Sequence, residues 1–369
     1  MPKPLLAVVV VLLAIVGLGF GARMYANRAM SNRAVTPKTL ASATPASAGI
    51  PFSRVAIEAG DRTLIGWWVR ARADSGRVPP ALLFLHGNRS SISDYIALQK
   101  FLYKQGVSSL VFDYSGFGAS GGTPSLKNAI ADAGYVARVF ADSAGKAARK
   151  VAMGSALGAT VLLQAIDSVQ PYVNGIVLEG VDASVRTSAV RSGKLPKLIA
   201  PLVEDPGNNV AAASRVKVPL LAVHSYADNR VPIEDAQMVV SSVKSPVSIV
   251  RHARKGHSAL LSSSRACDWA QVLAFVKTGT LPASKLETTD VCEQQRLAAA
   301  ATAAAKKTVT PAGHAVPAAG TGAKTGTATK TTSSKTAATK STPTKTKTKT
   351  TSTKKPTSSS IKNRATKKP

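Results

Sequence analysis

Acidic side chains are few in this chain, and they stop early. Its 369 residues hold 48 lysines and arginines against 19 aspartates and glutamates, a formal charge of +29, and no acidic residue follows Glu293. Large apolar residues also become scarce beyond about Ala298, where the sequence turns to Ala, Thr, Lys, Ser and Pro. Such a segment buries too little apolar surface to offset the entropy of ordering it, so residues 297–369 are expected to be disordered and to add nothing to a core. Fourteen lysines and Arg364 fall between Lys306 and Pro369, roughly half of the whole charge excess. The same tail lacks aromatic residues, so it cannot stack bases as single-strand nucleic-acid binders do. Its lysines can still meet polyanions: anionic lipids or envelope polymers first, nucleic-acid phosphates after them. A solvated extension without a partner is the plain alternative. Histidine, cysteine and aspartate nowhere cluster at metal-ligand spacing, so neither metal nor cofactor is expected. Cysteine is limited to Cys267 and Cys292, which either pair in an oxidising compartment or are two unrelated thiols.

Charge is missing from one further place. Between Lys3 and Arg23 lie nineteen uncharged residues, PLLAVVVVLLAIVGLGFGA. A bilayer core of about 30 Å needs about 20 residues at 1.5 Å each, so residues 4–22 can span a membrane once. A cleaved signal peptide has a shorter apolar region, of about 7–15 residues, and the arginine-rich ARMYANRAM that follows favours an uncleaved anchor. Residues 23–50 then read as a Pro/Ala/Ser/Thr stalk separating anchor from domain. Arg23, Arg28 and Arg33 against Lys3 and the terminal amine argue for a cytoplasmic domain, whereas paired cysteines would argue for an extracytoplasmic one. The side of the membrane stays open, with extracytoplasmic or periplasmic placement carried forward.

The middle, residues 51–282, is long enough for one domain. RVAIEA and TLIGWWVRA, joined at Gly60-Asp61, read as a β-hairpin, with Trp67 and Trp68 at its surface. ALLFLHG, VSSLVFDY, KVAMG, GIVLEG, PLLAVHS and PVSIVRH are apolar runs of strand length. Between them, helical spacing marks residues 91–105, 125–143, LGATVLLQAI, PIEDAQMVVSSV and 258–278. Strands alternating with helices imply a mostly parallel sheet covered on both faces, with ligands beyond the carboxyl ends of the strands. His86-Gly87, Asp113, Gly154–Gly158, Glu179, Asp228 and His257 fall at those ends.

VAMGSALGATV (151–161) has the shape of the strand–turn–helix elbow G-x-S-x-G on which serine hydrolases mount their nucleophile. Here the frame reads Gly154-Ser155-Ala156-Leu157-Gly158, with alanine at the centre. Taken with FLHGNRSS, FDYSGFGASGGTPS, HSYADNRVP and KGHSAL, the chain resembles the α/β-hydrolase superfamily over about residues 52–280. The resemblance is strongest to membrane-anchored serine hydrolases of the serine aminopeptidase and BEM46-like groups. Ser115 stands where the second motif usually has arginine.

That resemblance implies an α/β-hydrolase fold and acyl ester, thioester or peptide hydrolysis. It makes Asp228 the triad acid and His257 the base, in the order nucleophile, acid, histidine. It implies oxyanion donors at the backbone of Leu157 and of the Gly87-Asn88 region, and a small cap at residues 181–214. Leu195, Leu198, Ile199 and Leu202 of the cap either line an apolar acyl site, shallow because the cap is short, or cover the sheet. A methyl group at position 156 cannot attack a carbonyl, so a catalytically impaired hydrolase that binds a small acyl or peptide-like ligand is expected. The alternatives are an active hydrolase using Ser155, or a non-enzymatic anchored module whose basic tail is the working part. Glu179 is either a second acid or a strand-end residue, and Asp113 is expected to stabilise its turn.

Overall fold

A computed structural model of the chain describes residues 3–308 apart from 40, 73–75, 77 and 148. Nine strands form one sheet: β1 (Ser53–Ala59), β2 (Arg62–Val69), β3 (Ala81–Leu85), β4 (Ser108–Phe112), β5 (Lys150–Ser155), β6 (Gly175–Glu179), β7 (Leu220–Tyr226), β8 (Val247–Lys255) and β9 (Lys285–Thr289). Their spatial order is β1-β2-β4-β3-β5-β6-β7-β8-β9. The β1–β2 and β2–β4 pairs are antiparallel and the others parallel. The β1–β2 hairpin turns between Ala59 and Arg62, where Gly60 takes φ 72°, a conformation that costs glycine little.

Period-two alternation sends neighbouring apolar residues to opposite faces. Leu83 and Leu85 of β3 pack beneath α3 (Leu126–Ala144), α4 (Leu157–Gln164), α7 (Asn209–Ala213) and α8 (Ile233–Ser241). Leu82 and Phe84 pack beneath α2 (Ile96–Lys104) and α9 (Ala270–Thr278). The two tryptophans split in the same way and lie buried, not at the hairpin surface. Trp68 meets Phe140 edge-on, and Trp67 meets Phe52 on the other face. β2 is hydrogen-bonded between β1 and β4, so both its faces are covered, whereas β1 keeps Arg54, Ala56 and Glu58 exposed.

Three stretches depart from the sequence expectation. Residues 258–278 are a short 3-10 turn (Ala259–Ser262) and then α9, not one helix. Ser263 interrupts them: its hydroxyl bonds Asp268, and its carbonyl accepts the Trp269 indole N–H at 3.0 Å. Cys267 and Cys292 are joined as a disulfide, tying α9 to α10 (Val291–Thr308). That helix carries regular structure through the first dozen residues of the expected disordered tail, while 309–369 lie outside the described residues.

The third departure is at the N-terminus. The apolar helix α1 runs from Lys3 to Arg33, beyond the expected 4–22. Within it Val8–Asn32 is long and apolar enough to cross a membrane, with mean hydropathy 2.1. Residues 34–38, expected within a stalk, are strapped to the loop after β3. Thr36 N–H donates to Asn88 Oδ1 at 2.6 Å, Asn88 Nδ2 to Ala34 O at 3.1 Å, and Arg89 N–H to Thr36 O at 3.1 Å. Lys38 reaches Asp94 at 2.6 Å.

Candidate active site

The turn from β5 into α4 is fixed by sterics. A Cβ on Gly154 would stand 2.3 Å from Gly158 O, and one on Gly158 would stand 1.9 Å from Leu85 O. Neither glycine can move, so the residue between them at the apex is Ala156. Its φ of 50° and ψ of −111° lie in a region that side-chain-bearing residues avoid. The Ala156 methyl and Leu157 face a cavity that His257 also lines. The backbone N–H of Leu157 belongs to the first turn of α4, whose donors have no acceptor inside the helix. Across the cleft, Gly87 lies close enough that a Cβ there would be 4.0 Å from the Ala156 methyl.

Ser155 points elsewhere. It is buried at the end of β5, and its hydroxyl donates to Glu179 Oε2 at 2.5 Å and meets Ser258 Oγ at 3.0 Å. The Gly87 N–H is taken by the Tyr95 hydroxyl at 3.3 Å. The Asn88 side chain is occupied by residues 34–36, which leaves its backbone as this loop's contribution to the cavity.

Asp228 and His257 meet with Nδ1···Oδ2 at 2.9 Å, and the other carboxylate oxygen accepts the N–H groups of Arg230 and Val231 at 2.9 and 3.0 Å. The Asp228 side chain is 1% exposed and that of His257 16%. Burial pushes the Asp228 carboxyl up, but the bonds from His257 and the two amides outweigh it and hold its pKa below the usual value. Burial pulls His257 down, yet the hydrogen bond and charge of Asp228, with Glu179 behind, hold it above the ordinary histidine value. The pair is an imidazole held in one orientation by a buried carboxylate.

A model of the alpha/beta hydrolase family matches residues 82–320, well over half the chain. The chain belongs to the alpha/beta hydrolase family. Among relatives, Escherichia coli YfhR is 26% identical over 206 residues, 54% of this chain and 72% of that one. The Saccharomyces cerevisiae membrane protein YNL320W is 28% identical over 145 residues, 39% of this chain and 50% of that one. Among solved structures, the Pyrococcus furiosus esterase Pf2001 superposes with a TM-score of 0.53 at 23% identity, covering 65% of this chain and 98% of the esterase, a likeness of fold.

Two features of this alpha/beta hydrolase were not legible in the sequence. The cation that the motif around Ser115 lacks is supplied from β2. Arg62 bonds the buried Asp132 at 2.8 Å and Ser115 Oγ at 2.6 Å, and Ser115 N–H donates to Asp132 at 2.7 Å. Asp113 is structural as expected, accepting Ile92 N–H at 2.9 Å, and a Cβ on Gly118 would collide with it.

The other feature is the cavity itself, which is larger than the shallow pocket expected. Its volume is about 850 Å³. One side is the cap, with α6 (Val185–Arg191), Leu195 and Ile199, while Leu198 and Leu202 face outward. Arg191 pins α6 to Asp235 of α8 at 2.6 Å. The opposite side is the end of α1: Tyr25, Ala26, Ala29 and Met30, followed by Ala34. Their spacing of three and four residues puts them on one face of the helix. That spacing is present in the sequence, but a helix leaving an anchor carries no mark of what it packs on.

Glu179 lies between the two readings made of it. Burial pushes its carboxyl up, partly countered by the Ser155 and Ser258 hydroxyls and by His257. Its Oε1 has no hydrogen-bond partner. It underpins the elbow, since its carbonyl accepts Ala156 N–H at 2.9 Å, and it adds negative charge behind His257.

Proposed function

We propose that this membrane-associated alpha/beta hydrolase binds a small acyl or peptide-like ester, thioester or amide over Ala156 and turns it over only slowly. The observation that carries the reading is the pairing of an intact His257–Asp228 couple with a methyl group at the elbow apex. The N–H groups of Leu157 and Asn88 would hold the ligand carbonyl where negative charge develops during attack. His257 can take a proton from a water molecule, with Asp228 steadying the imidazolium. Among the described residues, no hydroxyl stands at the elbow apex to form an acyl intermediate. Hydrolases stripped of a triad member keep about 10³–10⁴-fold catalysis over water through positioning and oxyanion contacts alone, several powers of ten below the full enzyme.

Ser155 is a poor substitute, because its hydroxyl is committed to Glu179 and lies off the cavity. Restoring the hydroxyl tests the reading. Ala156→Ser should raise hydrolysis of a soluble p-nitrophenyl butyrate by about 10³-fold or more. No gain in a folded variant would refute it.

An extracytoplasmic domain is the side we favour, and the Cys267–Cys292 bond supports it, since persistent disulfides are rare in reducing compartments. The arginines after the anchor weigh the other way, and trapping of free thiols in intact cells decides between them.

A further inference from the structure

The wall that α1 gives the cavity has a consequence for what the cavity holds. The uncharged run between Lys3 and Arg23 is about 28 Å long as a helix, the thickness of a hydrocarbon core. Tyr25, Ala26, Ala29 and Met30 follow within two turns, in the last part of the apolar Val8–Asn32 stretch, which puts them from the headgroup layer to just beyond it. These residues form one side of the cavity. The side of the cavity that α1 forms therefore lies next to the membrane surface.

The cap beside it is built for the same surface. Leu198 is 89% exposed and Leu202 66%, in the segment KLPKLIAPL, which interleaves large apolar residues with Lys194 and Lys197. Neither lysine has a carboxylate partner among the described residues, and Lys194 lines the cavity. Arg191 is by contrast neutralised by Asp182 and Asp235. Apolar side chains beside unpaired cations suit an interface where acyl chains meet anionic headgroups.

We infer that the cavity takes an acyl chain of an anionic phospholipid drawn from the bilayer that α1 crosses. The ester carbonyl lies over Ala156, the acyl chain runs on toward Thr160 and Val185, and the phosphate lies by Lys194. The inference rests on the reading of this cavity as the ligand site.

The test uses the full chain, unmutated at position 156, in phosphatidylcholine vesicles doped with phosphatidylglycerol carrying a diazirine near the acyl terminus. Labelled residues are mapped by mass spectrometry. Label should appear at Thr160 and Val185, across the cavity from α1, as well as on the anchor. Ala29→Trp, filling the cavity from α1, and Ala189→Trp, filling it from the cap, should each lower interior labelling about tenfold. A phosphatidylcholine probe should label the interior severalfold less than the phosphatidylglycerol one. Label confined to residues 4–22, interior label indifferent to both plugs, or equal label from the two lipids would overturn the inference. Turnover of p-nitrophenyl butyrate by Ala156→Ser without interior label sinks the lipid site and leaves the acyl-hydrolase reading standing. Interior label without turnover does the reverse.

Discussion

The elbow and the loops that carry Asp228 and His257 face one cavity, and they differ in what they present to it. In the loops around Asp228 and His257 both backbone and chemistry are present: a carboxylate, an imidazole and a 2.9 Å bond between them. At the elbow the strained backbone is present and the apex side chain is the methyl group of Ala156. Among the described residues, the four non-glycine residues with positive φ are Arg89, Ala156, Ala227 and Ser258. Each flanks or occupies a position assigned to the site. Such conformations cost about 1–3 kcal/mol each and persist where the surroundings over-determine them. At position 156 the surroundings are two glycines that admit no side chain and the Glu179 carbonyl that holds the apex N–H. The strain at the elbow is therefore set by packing and does not depend on a hydroxyl at the apex.

Three experiments break or sharpen that contrast. The largest effect should come from joining the two. In the Ala156→Ser background, His257→Ala should cost about 10³-fold or more in ester turnover, while in the unmutated chain, which has no serine to activate, the same change should cost far less. Equal losses in both backgrounds would mean that the couple does not act through position 156. In the restored enzyme the acid limb of the rate profile should sit above the pH expected for an ordinary histidine, because His257 works as a base only when neutral and its pKa is raised.

Next is the frame. Gly158→Ala puts a carbon 1.9 Å from Leu85 O, and should cost about 3 kcal/mol or more in denaturant unfolding, if the chain folds at all. Gly193→Ala in the cap, with open space around it but φ 71°, should cost only about 1 kcal/mol.

The smallest effect isolates strain from chemistry. Ala156→Gly should stabilise the protein by about 1 kcal/mol, since glycine accepts the apex conformation without a Cβ penalty. Destabilisation would mean that the methyl packs more favourably than its backbone is strained.

The ion pair supplies a pH signature of its own. The folded pKa of His257 is raised, so its contribution to stability is complete below the unfolded value near 6.5 and is lost as pH rises through the folded value. That of Asp228 is lowered, so its contribution is present above about pH 4 and is lost as pH falls through the depressed value. The stability deficit of His257→Gln should therefore be greatest between these limits, near pH 5, and should shrink above neutrality.

Much of this was readable before any coordinates. The strands were legible because buried parallel strands are short apolar runs, and the elbow because Gly154 and Gly158 fix its frame. Asp228 and His257 were legible by motif and by their place at strand ends. What escaped was long-range. Arg62 serves Asp132 from seventy residues away, and no local pattern records that. Trp67 and Trp68 look like hairpin surface until β4 pairs beside them. Residues 34–38 look like a stalk until Asn88 binds them, and the cavity wall from α1 follows from that strap. The break at Ser263 was hidden because apolar spacing continues across it.

Labelling with a fluorophosphonate, followed by residue mapping, tests the central claim most directly, since the probe bonds only an activated hydroxyl. The account predicts no adduct on the unmutated chain and a single adduct at position 156 in Ala156→Ser, abolished by His257→Ala. An adduct at Ser155 of the unmutated chain would contradict it.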